Sequence, residues 1–332
     1  MKVFVVGGGN IAHSIAAKLS RTMPVTVLTR RPAAWGSRLE LHQNETVCES
    51  KFQVVATSEN EAISDGDVVF VALPQFAMEI TLDRIIASLK EGATVVFAPA
   101  PARIARYAEV LARRGVRTVG FQRVPYISRI IEYGKSVRIS DEREIHKIVV
   151  SEPSMRAEWD ERCRRLFGGK VEYLSSFLAL AFSNSNPLLH PARLSVLLER
   201  TYYDRMPLFY EEWTDRSSEL YIKADREMLD VMKRFPQIDL SVDYESVLDH
   251  YGVSSARELT NKIRSVLSFK GLAAPYKANG QGRFVPDFQS RYFTEDVPYG
   301  TMQIQRLARK VGVWTPVIDF MIERIGCVKG LS

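Results

Sequence analysis

The chain has 332 residues, 46% of them hydrophobic, so it is long enough for two folded domains, and a folded rather than a disordered protein is expected. Its formal charge is +6 and its pI near 9.1, yet the arginines are scattered rather than gathered in one arm, which argues against nucleic acid and suits partners that carry phosphates and carboxylates. Three cysteines without a CxxC pair point to a reducing compartment, and no apolar run reaches the length of a membrane span, so a cytoplasmic protein with no membrane partner is expected.

Met1-Lys2 leads directly into an apolar run without a signal-peptide cleavage region. That run, Lys2 to Val6, is β-branched and aromatic. Gly7-Gly8-Gly9-Asn10-Ile11-Ala12 follows, then a helical pattern through Ile15, Ala16 and Leu19, so the opening reads as strand, tight turn and helix. The spacing is G-x-G-x-x-A. Gly7 permits the turn and Gly9 lets backbone approach a pyrophosphate. Asn10 and Ile11 open a helix whose free N–H groups face the phosphates, and Ala12 lets the helix close on the strand. The second strand, Val25 to Leu28, ends in Thr29-Arg30-Arg31, where an NAD enzyme places a carboxylate for the ribose 2′-hydroxyl. Here two guanidiniums can fork onto a 2′-phosphate and Thr29 adds a hydroxyl, so NADP(H) is the expected cofactor and NAD(H) the alternative.

Further strands, Phe52 to Ala56, Asp67 to Leu73, Thr94 to Ala98 and Arg117 to Phe121, alternate with helical patterns at the rhythm of a doubly wound Rossmann sheet. Leu73-Pro74-Gln75 and Ala98-Pro99 fall at carboxyl ends of strands, where open α/β sheets bind ligands. Leu73, Pro74, Gln75 and Pro99 are therefore expected to border the nicotinamide half of the cofactor. Ile127 to Glu132 and Lys135 to Ile139, around a Tyr133-Gly134 turn, read with Ile145 to Ser151 as an antiparallel extension of the sheet. Met155 to Leu166 is helical and Val171 to Leu174 a last strand. Placing the boundary near Ser176 gives an α/β fold: a Rossmann domain over 1–176 followed by an all-helical domain over 177–332. The expected helices lie around Ala192 to Arg200, Pro207 to Asp230, Ser255 to Leu267, Met302 to Lys310 and Val317 to Ile325.

Two stretches of the helical half carry chemistry. In Asn184-Ser185-Asn186-Pro187-Leu188-Leu189-His190-Pro191, the proline disfavours a helical His190, so a helix is expected to begin just after it, with the imidazole held at the boundary. Imidazole exchanges protons near neutral pH; the competing reading is a histidine bonded for structure alone. Asn184 and Asn186 can orient a substrate carboxylate or the nicotinamide amide, or simply form the turn. Arg291-Tyr292-Phe293-Thr294-Glu295-Asp296-Val297-Pro298-Tyr299-Gly300 sets an arginine and two acids among aromatics. Arg291 can grip a carboxylate while Asp296 fixes the tautomer of His190, or the two can pair and only shape the loop.

The glycine opening, His190-Pro191 and the Arg291 to Gly300 stretch together resemble the octopine/nopaline (opine) dehydrogenase family over nearly the whole chain. The most specific parts are Asn186-Pro187 followed by His190-Pro191, and Glu295 to Gly300. The resemblance implies an enzyme that condenses an amino acid with an α-keto acid and reduces the imine with a nicotinamide hydride. It also implies His190 as acid/base, Asp296 as its partner and Arg291 as a carboxylate anchor, with no metal. One rival is a simple keto or hydroxy acid reductase of the ketopantoate reductase or glycerol-3-phosphate dehydrogenase type, but those use a catalytic lysine and none lies between Lys170 and Lys223. The other is a non-catalytic NADP-binding sensor. Apolar residues from Val317 to Ile325 can bury against the Rossmann domain or against a second subunit, and a homodimer is the expectation.

Overall fold

The structure, a computed structural model, describes residues 1–56 and 60–329. The chain forms two compact units, Met1–Ala181 and the remainder from Phe182.

The first unit contains β1 (Val3–Val6), β2 (Val25–Thr29), β3 (Arg38–Gln43), β4 (Thr46–Lys51), β5 (Gln53–Ala56), β6 (Val68–Val71), β7 (Thr94–Phe97), β8 (Arg117–Phe121), β9 (Tyr126–Glu132), β10 (Ser136–Glu142), β11 (Ile145–Val150) and β12 (Lys170–Tyr173). Its helices are α1 (Asn10–Leu19), α2 (Gln75–Ile85), α3 (Ile104–Ala112), α4 (Arg156–Leu166) and α5 (Phe177–Phe182). An eight-stranded sheet runs in the order β12-β11-β8-β7-β6-β1-β2-β5. β1 pairs in parallel with β2 on one side and β6 on the other, so the strand order reverses there and the glycine turn after β1 lies at the topological switch point.

These central strands are apolar at every position because both faces are covered. Alternation along β1 sends Val3 and Val5 into a core shared with α1 and α4, and Phe4 and Val6 into a second core shared with α2 and α3. Ala12 and Ala16 of α1 have no exposed surface, which lets the helix axis come close to the sheet.

The expected antiparallel extension is corrected in part. β11 does extend the main sheet, antiparallel to β8, and β12 then runs parallel to β11. β9 and β10 instead join β3 and β4 in a separate sheet of order β4-β3-β10-β9. The reason is β3: Leu39 and Leu41 present a buried face against which Val137 and Ile139 of β10 gather. The first unit takes in α5 as far as Ala181. Leu180 fills the space over Gly120, where a Cβ would lie 2.5 Å from Leu180 Cδ2.

The second unit is built on α6 (Asn186–Leu197), α7 (Asp215–Met232), α8 (Leu240–Asp243), α9 (Val247–Tyr251), α10 (Ala256–Ser265), α11 (Met302–Lys310) and α12 (Pro316–Lys329). A short hairpin, β13 (Tyr276–Ala278) with β14 (Phe284–Pro286), is set among them, and a π-helix spans Tyr292–Thr301. Two expectations are corrected. A helix beginning after Pro191 is not found, since α6 starts at Asn186 and contains Pro191. Nor is Pro207 to Asp230 one helix: α7 begins only at Asp215, where the Thr214 side chain accepts from Ser217 N as its cap. Among the described residues no helix is long and apolar enough to cross a membrane.

Candidate active site

In the first unit, the glycine turn has the shape its sequence requires. Gly7 sits at φ +143, and a Cβ on it would lie 2.5 Å from the Ala72 carbonyl oxygen at the end of β6, so only glycine is accommodated. Gly9 is the N-cap of α1, has open space where its Cβ would be, and receives no side-chain cap. The N-terminus of α1 therefore offers backbone donors and its dipole beside an open cradle, which fits a pyrophosphate. The Asn10 side chain is oriented by the second sheet, since its Oδ1 accepts the Ile130 N–H at 2.8 Å. Ile11 is half-buried and Ala12 packs beneath Gly7.

Thr29, buried at the end of β2, and the exposed Arg30 and Arg31 stand beside this turn in sequence order. Arg31 lies over the Tyr133 ring with its Cζ 4.4 Å from the centroid. Burial alone would push the Tyr133 phenol up; hydrogen bonds to it, from Thr29 among others, and the Arg31 charge bring it below its ordinary value instead. At the carboxyl end of β6, Pro74 is the N-cap of α2, and Gln75 Oε1 accepts the Ala102 N–H at 3.3 Å. Leu73 is half-buried, and Ala98-Pro99 follows β7.

In the second unit, His190 and Asp296 are brought together although far apart in sequence. Pro191 cannot donate to the Pro187 carbonyl four residues back, and Thr301 Oγ1 donates to that carbonyl at 2.7 Å instead. Gly300 lets the π-helix approach, since a Cβ there would lie 2.6 Å from Pro187 Cγ. The proline that breaks the ladder of α6 thus creates the docking point for the segment carrying Asp296. Pro187 itself lies in the first turn of α6, where its missing N–H costs nothing.

His190 Nδ1 lies 2.8 Å from Asp296 Oδ2 and Nε2 lies 3.0 Å from the Tyr210 hydroxyl. A carboxylate only accepts, so Nδ1 carries the hydrogen and donates to Asp296, leaving Nε2 bare to accept from Tyr210. The imidazole is buried, with Tyr292 at 4.5 Å and Phe209 at 5.6 Å between ring centroids. Tyr210 is stacked on Phe269 at 4.1 Å, and burial, followed by Tyr292, Tyr251 and Asp296, pushes its phenol far up, so it stays protonated. Arg193, one turn along α6, is buried and braces the residues before Tyr210: its Nε donates to the Phe209 carbonyl at 3.0 Å. Burial lowers Arg193 to about 10, which still leaves it charged at neutral pH.

Asp296 is engaged with His190, so the Arg291–Asp296 pair that would merely shape a loop does not form. Arg291 is exposed at the start of the π-helix. Asn184 Oδ1 accepts the Asn186 N–H at 3.1 Å and shapes the turn into α6. Tyr210 and Arg193 escaped the sequence reading: Tyr210 falls in a stretch read as helix, and a buried arginine at helical spacing from a histidine looks like any surface arginine.

Residues 173–328 match the family model for the alpha-helical domain of NAD/NADP octopine/nopaline dehydrogenase, and residues 2–101 match the model for NADP oxidoreductase, coenzyme F420-dependent. The chain is 26% identical to tauropine dehydrogenase of Arabella iricolor, across 96% of this chain and 89% of that protein. Octopine dehydrogenase with NADH and L-arginine superposes with a TM-score of 0.85 at 26% identity, covering 99% of this chain and 90% of that one. With NADH and pyruvate, the TM-score is 0.84 at 25% identity, covering 98% and 89%.

Proposed function

The chain belongs to the octopine/nopaline dehydrogenase family of NAD(P)-dependent oxidoreductases, and on that premise we propose an NADP(H)-dependent opine dehydrogenase that joins an amino acid to an α-keto acid. The observation that carries the reading is the Asp296–His190 pair with a bare Nε2, a base whose tautomer is set by a carboxylate. His190 takes a proton from the substrate ammonium, freeing the amine to attack the keto carbon. It returns a proton to the departing hydroxyl as water is lost and the imine forms. Asp296 stabilises the imidazolium between these steps. Because Nε2 already accepts from the Tyr210 hydroxyl, the proton passes through that hydroxyl, which gives its own hydrogen to Nε2, takes one from the ammonium and then accepts from the new Nε2–H, so the buried ring stays fully bonded.

Arg291, exposed and without a carboxylate partner among the described residues, binds the keto-acid carboxylate through two parallel hydrogen bonds. Asn184 and Asn186 assist by shaping the turn that leads into α6. The glycine turn, Thr29, Arg30 and Arg31 would hold the dinucleotide, with Leu73, Pro74, Gln75 and Pro99 bordering its nicotinamide half. The nicotinamide, when bound, supplies the hydride that reduces the imine carbon. A cytoplasmic setting agrees with three unpaired cysteines, and a homodimer with Phe320 and Val328 of α12 exposed at 39% and 42%.

The test is NADPH and NADH oxidation against α-keto acids, each alone and with a panel of amino acids. Turnover that requires both partners supports the opine reaction. Turnover with a keto acid alone refutes it in favour of a simple reductase, and cofactor binding with no turnover on any pair counts for the sensor.

A further inference from the structure

We propose that Tyr133, at the tip of the β9–β10 hairpin, completes the site for the cofactor's 2′-phosphate and sets a preference for NADP(H) over NAD(H). The inference rests on the NADP(H) reading above. Nothing in the Rossmann opening points to this residue, which arrives from the second sheet.

A Cβ placed on Gly8 would lie 2.6 Å from the Tyr133 hydroxyl and 3.0 Å from Thr29 Oγ1, so two hydroxyls converge over the backbone of the phosphate turn. Thr29 closes β2, the position where dinucleotide folds read the ribose 2′ substituent. The Arg31 guanidinium is stacked on the Tyr133 ring, which holds it in place before any ligand arrives, and the Arg31 backbone N–H donates to Thr29 Oγ1 at 3.4 Å. Pre-ordering a long side chain removes part of the entropy that binding would otherwise cost.

The tip itself is fixed. Gly134 adopts φ +73, and a Cβ there would collide with the Ala34 carbonyl. Its N–H donates to His13 Nε2 at 2.9 Å, while His13 Nδ1 donates to the Gly9 carbonyl at 2.9 Å. One buried imidazole therefore ties the hairpin to the turn that would cradle the pyrophosphate.

The chemistry of the group is one-sided. Tyr133, Thr29, Arg30 and Arg31 offer hydroxyl and guanidinium donors and a positive charge, which suit a phosphate. A free 2′-hydroxyl wants an acceptor carboxylate, and none of these four supplies one.

The experiment is fluorescence titration of the full-length protein with NADPH and with NADH, in the absence of any other substrate. Tyr133→Phe keeps the ring under Arg31 and removes only the hydroxyl; its NADPH affinity should fall roughly tenfold while NADH changes less than about twofold. Tyr133→Leu also removes the stack and should fall further for NADPH. If both variants keep the wild-type NADPH-to-NADH ratio with unchanged melting temperature, the role of Tyr133 is overturned and the NADP(H) reading stands. If the wild-type protein binds both cofactors equally, that reading fails and this inference with it, leaving the proposed reaction to its own assay.

Discussion

Replacing His13 with glutamine should flatten the acid side of the stability curve. The imidazole has no exposed surface, and burial, partly opposed by its bond to Gly9, lowers it from 6.5 to about 4. Between those two pH values the unfolded chain takes up a proton that the folded chain refuses. The contribution is therefore fully present above pH 6.5, declines as the pH falls towards 4, and is lost below it. At 1.36 kcal/mol per unit, the span amounts to about 3 kcal/mol. His13→Gln keeps a donor for Gly9 and an acceptor for Gly134 without titrating. Urea unfolding of both proteins from pH 8 to about pH 4 gives two curves, and subtracting one from the other cancels the remaining histidines. The difference should shift by about 3 kcal/mol against the wild type on acidification. Parallel curves would refute the claim that a neutral imidazole bridges turn and hairpin.

Asp296→Asn keeps an amide oxygen that can accept from Nδ1 but removes the charge that supports the imidazolium; at about 1.5–3 kcal/mol for a charged bond, kcat/KM should drop roughly ten- to a hundred-fold. NADPH affinity should not change, and steady-state kinetics beside the titration separate the two effects. Arg291→Ala should raise the KM for the keto acid by a similar factor while kcat stays near wild type, and a fall in kcat alone would remove Arg291 from carboxylate binding. Glu227→Ala should destabilise the second unit by about 1 kcal/mol, read as a lower melting temperature, because Glu227 accepts the Val317 and Ile318 N–H groups at 2.8 and 2.9 Å and caps α12 from α7.

The Rossmann half was legible because its signals are local. β1 and its glycine turn, the donor-rich end of β2 and the spacing of β6, β7 and β8 need only neighbouring residues to be read. β3 and β4 went unread: Arg38–Gln43 and Thr46–Lys51 are largely polar, with most side chains of β4 exposed, so no apolar run marks them. With them went the second sheet. In the helical half, residue types pointed to His190, Asp296 and Arg291, but not to their setting. Pro191 reads locally as a boundary; it sits within α6 because a hydroxyl more than a hundred residues later takes the bond it leaves unmade. The Tyr292–Thr301 π-helix reads as a loop for a related reason: it holds Pro298 and Gly300, and its wider turn lacks the usual helical repeat.

The pairing of β3 with β10 has a consequence for the birth of the protein. Ser136 lies opposite Glu40 in that ladder, so two hairpins, each quick to form alone, must meet across most of the first unit's length. A growing chain that has emerged only through β8 already carries the glycine turn, Thr29 and both arginines, but not the hairpin that stands over them. The glycine turn thus leaves the ribosome well before the hairpin that His13 ties to it, and the two can lock together only when the first unit is largely made.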